Sequence, residues 1–222
     1  MSYSLPFKAN QKVIEIGGGN VPLFRPNLDV RKVDNVDIVA DLNEKFPIGD
    51  QEWDGVFSKF SLEHISWRNT RKFISEVHRI LKTEGTFVAI VPNTEAQMKW
   101  VLDREEWDDH SSCILFGDND YPENTHRVSL SPAYIIKLLQ ESGFNSIVVI
   151  PWGEELKTDM LIEARKEKMT TEDRKSLFDK HYFNGGEKVG GYAREGYWDY
   201  PVHNITFNRL MELNPESVLE VG

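Results

Sequence analysis

Short apolar runs alternate with amphipathic stretches along the first 165 residues, and this alternation is typical of an α/β fold. The apolar runs are rich in Val and Ile and are bounded by turn-forming residues, as expected for buried strands. Two longer stretches carry apolar residues at helical spacing instead. The pattern predicts strands at 12–16, 27–30, 36–40, 55–58, 86–91, 146–150 and 160–164, and helices at 69–82 and 131–142.

The connections between these elements predict how the strands are arranged. Two crossings between strands carry clear helices, and such crossovers are right-handed in nearly all sheets. We therefore expect an open, mostly parallel, doubly wound sheet of seven strands, covered on both faces. Only the turn-like segment Pro151-Trp152-Gly153 separates the last two strands, so these should form an antiparallel pair at the sheet edge.

Two regions lie outside this minimal sheet. Residues 94–130 form a long excursion rich in Asp, Asn, His, Trp and Tyr. Long irregular insertions in compact domains are usually functional or disordered, and the aromatic content of this one favours an ordered lid. We therefore expect a domain over residues 1–165, with 94–130 as a substrate-covering insertion, and a mainly helical extension over 166–222.

Composition narrows the class of protein and of partner. The formal net charge is −10, which argues against broad contact with nucleic acid because phosphate neutralisation needs a basic surface. No apolar run approaches the roughly 20 residues that span a bilayer. The N-terminus lacks the basic and apolar regions of a signal peptide, so we expect a cytoplasmic protein without membrane attachment. Cys113 is the only cysteine, which excludes an internal disulfide and a Cys-rich zinc site.

Three predicted strand ends carry residues suited to one ligand. The first strand runs into Gly17-Gly18-Gly19, and Asp29 and Asp41 lie at the ends of the second and third. Ligands of open α/β sheets bind at this edge, where glycines allow close approach of the backbone and an acid can accept hydrogen bonds from ribose hydroxyls. Each feature also has a structural interpretation: a tight turn for the glycines, and a loop cap for either Asp. That interpretation weakens when all three features lie at consecutive strand ends.

The motifs VIEIGGG, NLDV, DIVADLNEKFPI, WDGVFSKFSLEHI and FISEVHRILKTEGTFVAIVPN resemble class I S-adenosylmethionine-dependent methyltransferases, in the branch with a short link between the glycine loop and the second-strand acid. The match is specific over residues 12–93, and the later elements match in order only. The resemblance implies a Rossmann-like methyltransferase fold, S-adenosylmethionine as cofactor and methyl transfer as activity. Carried over by position, it implies these cofactor-binding residues: Glu15, Gly17, Gly18, Gly19, Asp29, Asp41, Leu42, Ser58, Lys59 and Phe60.

The chain departs from the family pattern at three places. Val21 stands where a glycine is usual, and the first crossover helix is nearly absent. Both departures bear on the details of cofactor contact. The segment Thr83-Glu84-Gly85-Thr86 replaces the more usual Pro-Gly-Gly turn before the fifth strand, which is a turn variant.

Methyl transfer from a sulfonium is an in-line displacement, and an enzyme accelerates it mainly by holding the nucleophile against the methyl group. A general base is needed only if the acceptor keeps its proton at the working pH. His64, beside Glu63 in the family's LEH pattern, and His126 in the insertion are the candidates for that base. Either histidine could instead be structural. Trp107, Tyr121 and His126 are candidates for substrate contact, with packing of the insertion as the alternative for the aromatic residues.

No metal is expected. His110, His126, Asp118 and Asp120 are suitable ligand types, but their spacing matches no established ligand pattern. By family analogy the acceptor should be a small molecule or a glycan. One rival is a catalytically inactive module that keeps the fold. Another is a dinucleotide-dependent oxidoreductase or epimerase, which should show a fuller glycine fingerprint and a Tyr-x-x-x-Lys pair.

The end of the chain repeats a motif from its beginning. Residues 217–222 (SVLEVG) repeat the apolar strand, embedded Glu and Gly of residues 13–17. One hypothesis is that a second methyltransferase domain begins here, and the alternative is a helical appendage ending in a short strand. An apolar strand without its own sheet should pair with another chain, which would allow a homodimer, or lie on the first domain.

Overall fold

The computed structural model of the protein describes residues 4–153 and 157–167. Residues 168–222, which contain nearly all of the predicted extension and the motif at 217–222, therefore lie outside the described residues. Among those described, no helix is both long and apolar enough to cross a membrane. The strands are β1 (Val13–Ile16), β2 (Asn27–Asp29), β3 (Ile38–Val39), β4 (Trp53–Lys59), β5 (Leu81–Pro92), β6 (Ser146–Trp152) and β7 (Asp159–Arg165), and the α-helices are α1 (Thr70–Ile80), α2 (Thr94–Leu102), α3 (Asp109–Phe116) and α4 (Pro132–Glu141).

The strands form one seven-stranded sheet in the order β3-β2-β1-β4-β5-β7-β6. The first five strands are parallel to one another, and β7 is antiparallel to both of its neighbours. This arrangement confirms the predicted fold class, including the antiparallel pair at the edge. The direction of chain crossing reverses at β1, because β2 and β3 lie on one side of it and β4 and β5 on the other. A switch point of this kind opens a crevice at the carboxyl ends of the strands.

The main core lies between one face of the sheet and helices α1 and α4. In α1, the side chains of Phe73, Val77 and Ile80 recur every three or four residues and are fully buried, whereas Arg71 and Lys72 are exposed. The opposite face of the sheet carries a smaller buried cluster, formed by Val13, Phe57, Val88, Ile90 and Leu161. The sheet is thus apolar on both faces, which explains why its strands are nearly continuous hydrophobic runs.

Each predicted element differs from the observed one in at least one bound, and three of these differences are informative. The helix predicted at 69–82 ends at Ile80, because Leu81 has an extended backbone (φ −71°, ψ 136°) and pairs with Trp53. Leu81 is fully buried in β5, so its apolar character alone could not distinguish the end of a helix from the start of a strand. Trp53 lies outside the strand predicted at 55–58, and Trp152 lies in the predicted turn, but the structure includes them in β4 and β6.

The insertion at 94–130 is more regular than predicted, since it contains α2, α3 and a short 3-10 helix at Pro122–Asn124. The Asn93 side chain accepts a hydrogen bond from the first turn of α2. Asp108 and Ser111 form a capping box at the start of α3. These polar residues therefore mark the starts of helices. Hydrophobic periodicity alone does not detect them, so the sequence predicted an irregular segment here.

Candidate active site

A cavity of about 580 Å³ lies at the carboxyl edge of the sheet, around the switch point. Residues that end or follow β1, β2, β3 and β4 line it, together with residues of the insertion. The predicted strand ends bearing Gly17, Asp29 and Asp41 therefore meet at a single cavity. Its lining includes Gly17, Asp29, Arg31, Asp41, Leu42, Phe60, Ser61, Glu63, His64, Gln97, Asp118, Tyr121, Glu123, Asn124, His126, Arg127 and Asp159.

The turn after β1 depends on glycine. Gly17 and Gly19 have positive φ angles of +77° and +53°, which side chains of other residues disfavour. A Cβ on Gly17 would lie only 2.1 Å from Oγ of Ser61. The Ser61 hydroxyl donates to the carbonyl oxygen of Gly17 at 3.0 Å, so it holds the segment after β4 against the end of β1. The backbone of Gly17 thereby forms part of the cavity wall.

Glu15 supports this turn from behind. It is 3% exposed, and its Oε2 accepts hydrogen bonds from the backbone nitrogens of Leu23 and Phe24 at 2.5 and 2.7 Å. Burial raises the pKa of the carboxyl group, and these two hydrogen bonds oppose the increase. Glu15 is not among the residues that line the cavity. Its role in this structure is to fold the chain between β1 and β2, which replaces the missing crossover helix.

Asp29 ends β2 with a buried carboxylate that lines the cavity. Its Oδ2 accepts a hydrogen bond from Gly19 N at 2.9 Å, and its Oδ1 accepts one from Arg31 N at 2.8 Å. The Arg31 guanidinium lies 4.6 Å from the ring centroid of Tyr121, and its Nε lies 3.4 Å from Oδ1. Since a carboxylate offers about four lone-pair positions, Oδ2 can still accept another hydrogen bond.

The residues after β3 and β4 line the same cavity. Oδ1 of Asp41 accepts hydrogen bonds from the backbone and side-chain nitrogens of Asn43, at 2.8 and 3.0 Å, so Asp41 does cap a loop. Its carboxylate also lines the cavity, next to the buried side chain of Leu42. Phe60 follows β4 with a φ of +50° and is 41% exposed. An acid and two apolar side chains in the same lining suit a flat aromatic ring that carries an amine.

Several predicted site residues lie outside the cavity lining. The glycines at 18 and 19 belong to the turn after β1 but do not line the cavity. Ser58 and Lys59 do not line it either; Ser58 is buried and Lys59 is exposed to solvent. Trp107 is 65% exposed and is not a lining residue either. Exposure of Trp107 follows from its position between α2 and α3, outside both helices. Direct contact of these residues with a ligand stays a prediction.

The two histidines predicted for catalysis are neighbours in the structure. Their ring centroids lie 5.4 Å apart, and both rings line the cavity. Nδ1 of His64 lies 3.1 Å from the carbonyl oxygen of Thr125, and Nδ1 of His126 lies 3.3 Å from that of Leu115. A carbonyl oxygen only accepts, so each Nδ1 carries the hydrogen. In the neutral rings, each Nε2 therefore keeps its lone pair.

Glu63 adds a buried acid to this pair. The sequence placed Glu63 near the site but gave it no role. Its side chain is 3% exposed, and its Oε1 lies 4.0 Å from Nε2 of His64. Burial raises the pKa of Glu63, and the nearby negative charge of Asp159 adds a smaller increase, so that the pKa is about 8. Burial also lowers the pKa of His64 and of His126, so both imidazoles are neutral at neutral pH.

Asp159 is a second acid that the sequence did not predict for the site. It is the first residue of β7 and lines the cavity. Burial raises the pKa of its carboxyl group, and nearby Lys59 opposes that effect. The signal for Asp159 was the predicted antiparallel edge pair: an antiparallel strand begins at the edge where its parallel neighbours end. An acid before that strand therefore belongs to the same edge as Asp29 and Asp41.

Comparison with known proteins identifies the family. Residues 9–89 match the family model described as a methyltransferase domain. Residues 9–89 therefore carry a methyltransferase domain, of the S-adenosylmethionine-dependent class I. Its cofactor is S-adenosylmethionine, and its reaction is methyl transfer. No curated protein is significantly similar to the chain in sequence.

Solved structures share the fold of this methyltransferase at low sequence identity. An S-adenosylmethionine-dependent methyltransferase from Archaeoglobus fulgidus is 17% identical, with a TM-score of 0.53 over 72% of this chain and 88% of that one. One from Thermotoga maritima is 13% identical, with a TM-score of 0.52 over 71% and 83%. Phosphoethanolamine N-methyltransferase 2 of Haemonchus contortus, solved with S-adenosylmethionine, is 14% identical, with a TM-score of 0.52 over 73% and 50%. At these identities the likeness shows the fold alone.

The residues of the methyltransferase cavity fit the cofactor. The wall at Gly17 is backbone, so a methionine chain could lie directly against it. Asp29 is a buried carboxylate with accepting capacity left for ribose hydroxyls. Asp41, with Leu42 and Phe60 in the same lining, would meet an adenine ring and its amine. When bound, the cofactor supplies an electrophilic methyl group, and these residues are the ones that would hold and orient it.

Proposed function

We propose that the methyltransferase acts on a small molecule or a sugar, bound in the part of the cavity that the insertion lines. The observation that carries the proposal is the continuity of the cavity. The same 580 Å³ space is lined by Gly17, Asp29 and Asp41 and by His64 and His126. A ligand held by the strand ends and a second ligand beside the histidines would therefore share one cavity, as transfer between them requires.

The size and the lining of the cavity favour a small polar acceptor. Cavities of about 300–1,000 Å³ typically enclose small ligands. The insertion contributes side chains that hydrogen-bond hydroxyl groups, among them Asp118, Glu123 and Asn124. The chain's net charge of −10 disfavours an extended nucleic-acid substrate. A sugar or another small hydroxyl compound matches these properties best.

The histidines would orient the attacking group of the acceptor. The lone pair on Nε2 of His64 or His126 can accept a hydrogen bond from a hydroxyl or amine, which fixes the direction of its own lone pair toward the methyl group. Both rings are themselves held through Nδ1 by backbone carbonyls. Orientation of the reactants can lower the barrier of an in-line displacement by several kcal/mol.

The test is methyl transfer by the full chain to a panel of acceptors. Among free sugars, small alcohols and amines, we expect at least one compound to gain a methyl group, detected by mass spectrometry. RNA and unfolded protein should gain none. His126→Ala should lower kcat/KM for the acceptor without changing the Kd of S-adenosylmethionine. His110→Ala is the matched control, since His110 lies in the same insertion but does not line the cavity.

Two outcomes would contradict the proposal. Methylation restricted to RNA or protein would show that the acceptor is a macromolecule. Tight binding of S-adenosylmethionine without transfer to any member of a broad panel would favour a domain that kept the fold and lost its activity. If His126→Ala and His110→Ala lowered kcat/KM for the acceptor equally, the role assigned to the cavity histidines would be wrong.

A further inference from the structure

Glu63, His64 and His126 form a compact group, here named the histidine–glutamate cluster. One carboxylate oxygen and one nitrogen from each imidazole lie within 4.8 Å of one another. Among the described residues, it is the group whose geometry suits a metal ion. The cluster differs from the set His110, His126, Asp118 and Asp120 considered from the sequence, since His110 packs against Trp100 instead.

Backbone hydrogen bonds between two segments set the spacing of the cluster. The backbone nitrogens of Arg127 and Val128 donate to the carbonyl oxygen of Glu63 at 2.7 and 3.3 Å. The backbone nitrogen of His126 donates to the carbonyl oxygen of Phe116 at 2.9 Å, which ties the segment to the end of α3. The side chains of Glu63 and His64 thus project from a second 3-10 helix, Leu62–His64, and that of His126 from a loop hydrogen-bonded to it.

The two imidazoles are oriented as metal-binding histidines are. A histidine ligand usually donates its second N–H to a carbonyl or a carboxylate, which fixes the ring and leaves the other nitrogen for the metal. His64 and His126 both use Nδ1 in this way, with carbonyl oxygens at 3.1 and 3.3 Å. A purely structural histidine pair would not need both Nε2 atoms to remain free.

Glu63 supplies the second, independent observation. Its Oε2 is buried and has no hydrogen-bond partner. Leaving a buried polar atom unpaired costs roughly 1–3 kcal/mol, so the native state should contain a partner for it. The residue lines the same cavity as the two histidines, and a cation there would use the free carboxylate oxygen together with the imidazole lone pairs.

We propose that the histidine–glutamate cluster binds one divalent transition-metal cation. Two imidazoles and one carboxylate are the donors that Zn²⁺, Fe²⁺, Co²⁺ and Mn²⁺ accept, and three protein ligands leave positions open for other groups. Metal–ligand distances of about 2.0–2.2 Å require ligand atoms somewhat closer together than 4.8 Å. Side-chain rotations that move the ligand atoms by roughly 1 Å would achieve this while the backbone stays in place.

The charges around the cluster are nearly balanced. Arg31 and Arg127 lie close enough to disfavour a positive charge on His64. Asp159 lies close to Glu63, and Asp118 lies close to His126, so each favours a positive charge nearby. With Glu63 bound as a carboxylate, the three acids carry three negative charges, against four positive charges from the cation and both arginines.

A bound cation would narrow the class of acceptor, and this consequence rests on the proposed function. The open positions on the cation would face the cavity, where an acceptor oxygen could bind. The preferred acceptor would then be one whose attacking hydroxyl, or a neighbouring hydroxyl or carboxylate, can coordinate a metal. Coordination would replace the direct hydrogen bond to a histidine, and it would favour the deprotonated form of the attacking hydroxyl.

The test is a titration of the tag-free full chain, freed of metal by a chelator, with Co²⁺ and with Zn²⁺. We expect one Co²⁺ per chain with visible absorption bands, displaced by Zn²⁺. Glu63→Gln and His126→Gln should each weaken Co²⁺ binding at least tenfold and change the bands. His110→Gln should leave both unchanged, because His110 is a histidine of the insertion outside the cluster.

Several results would overturn the inference. The inference fails if Co²⁺ gives no visible bands. It also fails if His110→Gln lowers the Co²⁺ affinity more than tenfold, or if Glu63→Gln and His126→Gln both leave the Co²⁺ affinity unchanged. Calorimetric titration of the same samples with S-adenosylmethionine shows whether each variant is folded. If Glu63→Gln or His126→Gln is not folded, Glu63→Asp is measured in its place. The titration contains no acceptor, so its result does not depend on the proposed function. If the protein binds no metal, methyl transfer can still be tested separately.

Discussion

Replacing Asp29 with Asn tests the ribose contact at the end of β2. The substitution keeps the shape of the side chain but removes its charge and one accepting oxygen. Hydrogen bonds to a charged group contribute about 1.5–3 kcal/mol each, and neutral ones about 0.5–1.5 kcal/mol. For two ribose hydroxyls, the loss should be about 1.5–3 kcal/mol. The Kd of S-adenosylmethionine should therefore rise about 10- to 100-fold.

Calorimetric titration with S-adenosylmethionine measures this change directly. Asp34→Asn is the matched control, because Asp34 is an exposed acid in the loop after β2 and does not line the cavity. Asp29 also accepts hydrogen bonds from Gly19 and Arg31, so urea unfolding must show that the variant remains folded. A folded Asp29→Asn protein with less than a twofold change in Kd would refute the ribose assignment, and so would an equal effect of Asp34→Asn.

Three further predictions concern the turn, the core and the cavity. Gly17→Ala should lower the free energy of unfolding by at least about 1–2 kcal/mol in urea titrations, because of its positive φ and the 2.1 Å approach to Ser61, and should abolish cofactor binding. Burial lowers the pKa of His78 to about 4, so stability should fall as pH drops from about 6.5 toward 4. His78→Gln should remove roughly 1–2 kcal/mol of the difference in unfolding free energy between pH 7.5 and pH 5. Tyr121→Ala should raise the acceptor KM about 3- to 10-fold in steady-state assays, whereas Tyr121→Phe should not, because the ring rather than the hydroxyl contacts Arg31.

The sign of the His78 prediction follows from the two protonation states. In the unfolded chain an ordinary histidine has a pKa of about 6.5, and in the folded protein the pKa of His78 is about 4. Between these values the unfolded chain binds the additional proton, so acid favours unfolding. Part of the ring is exposed, which is why the expected effect is smaller than the full difference in pKa. An unchanged unfolding free energy between pH 7.5 and pH 5 would contradict this assignment.

The sheet could be predicted from the sequence because its strands are buried on both faces. The continuous apolar run 86–91 stands out from its surroundings, and Gly85 and Pro92 mark where it ends. The element bounds were harder to predict, since burial alone does not distinguish a helix from a strand. Leu81 shows this directly: it satisfies the periodicity of α1 and is nevertheless the first residue of β5.

The candidate site was predictable where it depends on strand ends and less so where it depends on the insertion. Gly17, Asp29 and Asp41 meet at one cavity because parallel strands end at one edge. Glu63 and Asp159 were not assigned roles, because their importance arises from burial, which local sequence does not reveal. Contacts between residues far apart in sequence, such as the pair His64 and His126, depend on how the insertion folds back.

The topology explains why the insertion covers this cavity. Its two ends are fastened together, since Thr94 N donates to the Leu130 carbonyl oxygen at 2.8 Å and Leu130 N donates to the Thr94 hydroxyl at 2.9 Å. Asn93 N donates to the carbonyl oxygen of Thr158 at 2.9 Å, just before β7. Both ends of the insertion therefore leave from the edge where β5 ends and β7 begins. That edge also carries the ends of β1, β2 and β4, so a long segment inserted here must fold over the same cavity. The position of the insertion in the strand order, more than its own sequence, thus brings His126 to the active site.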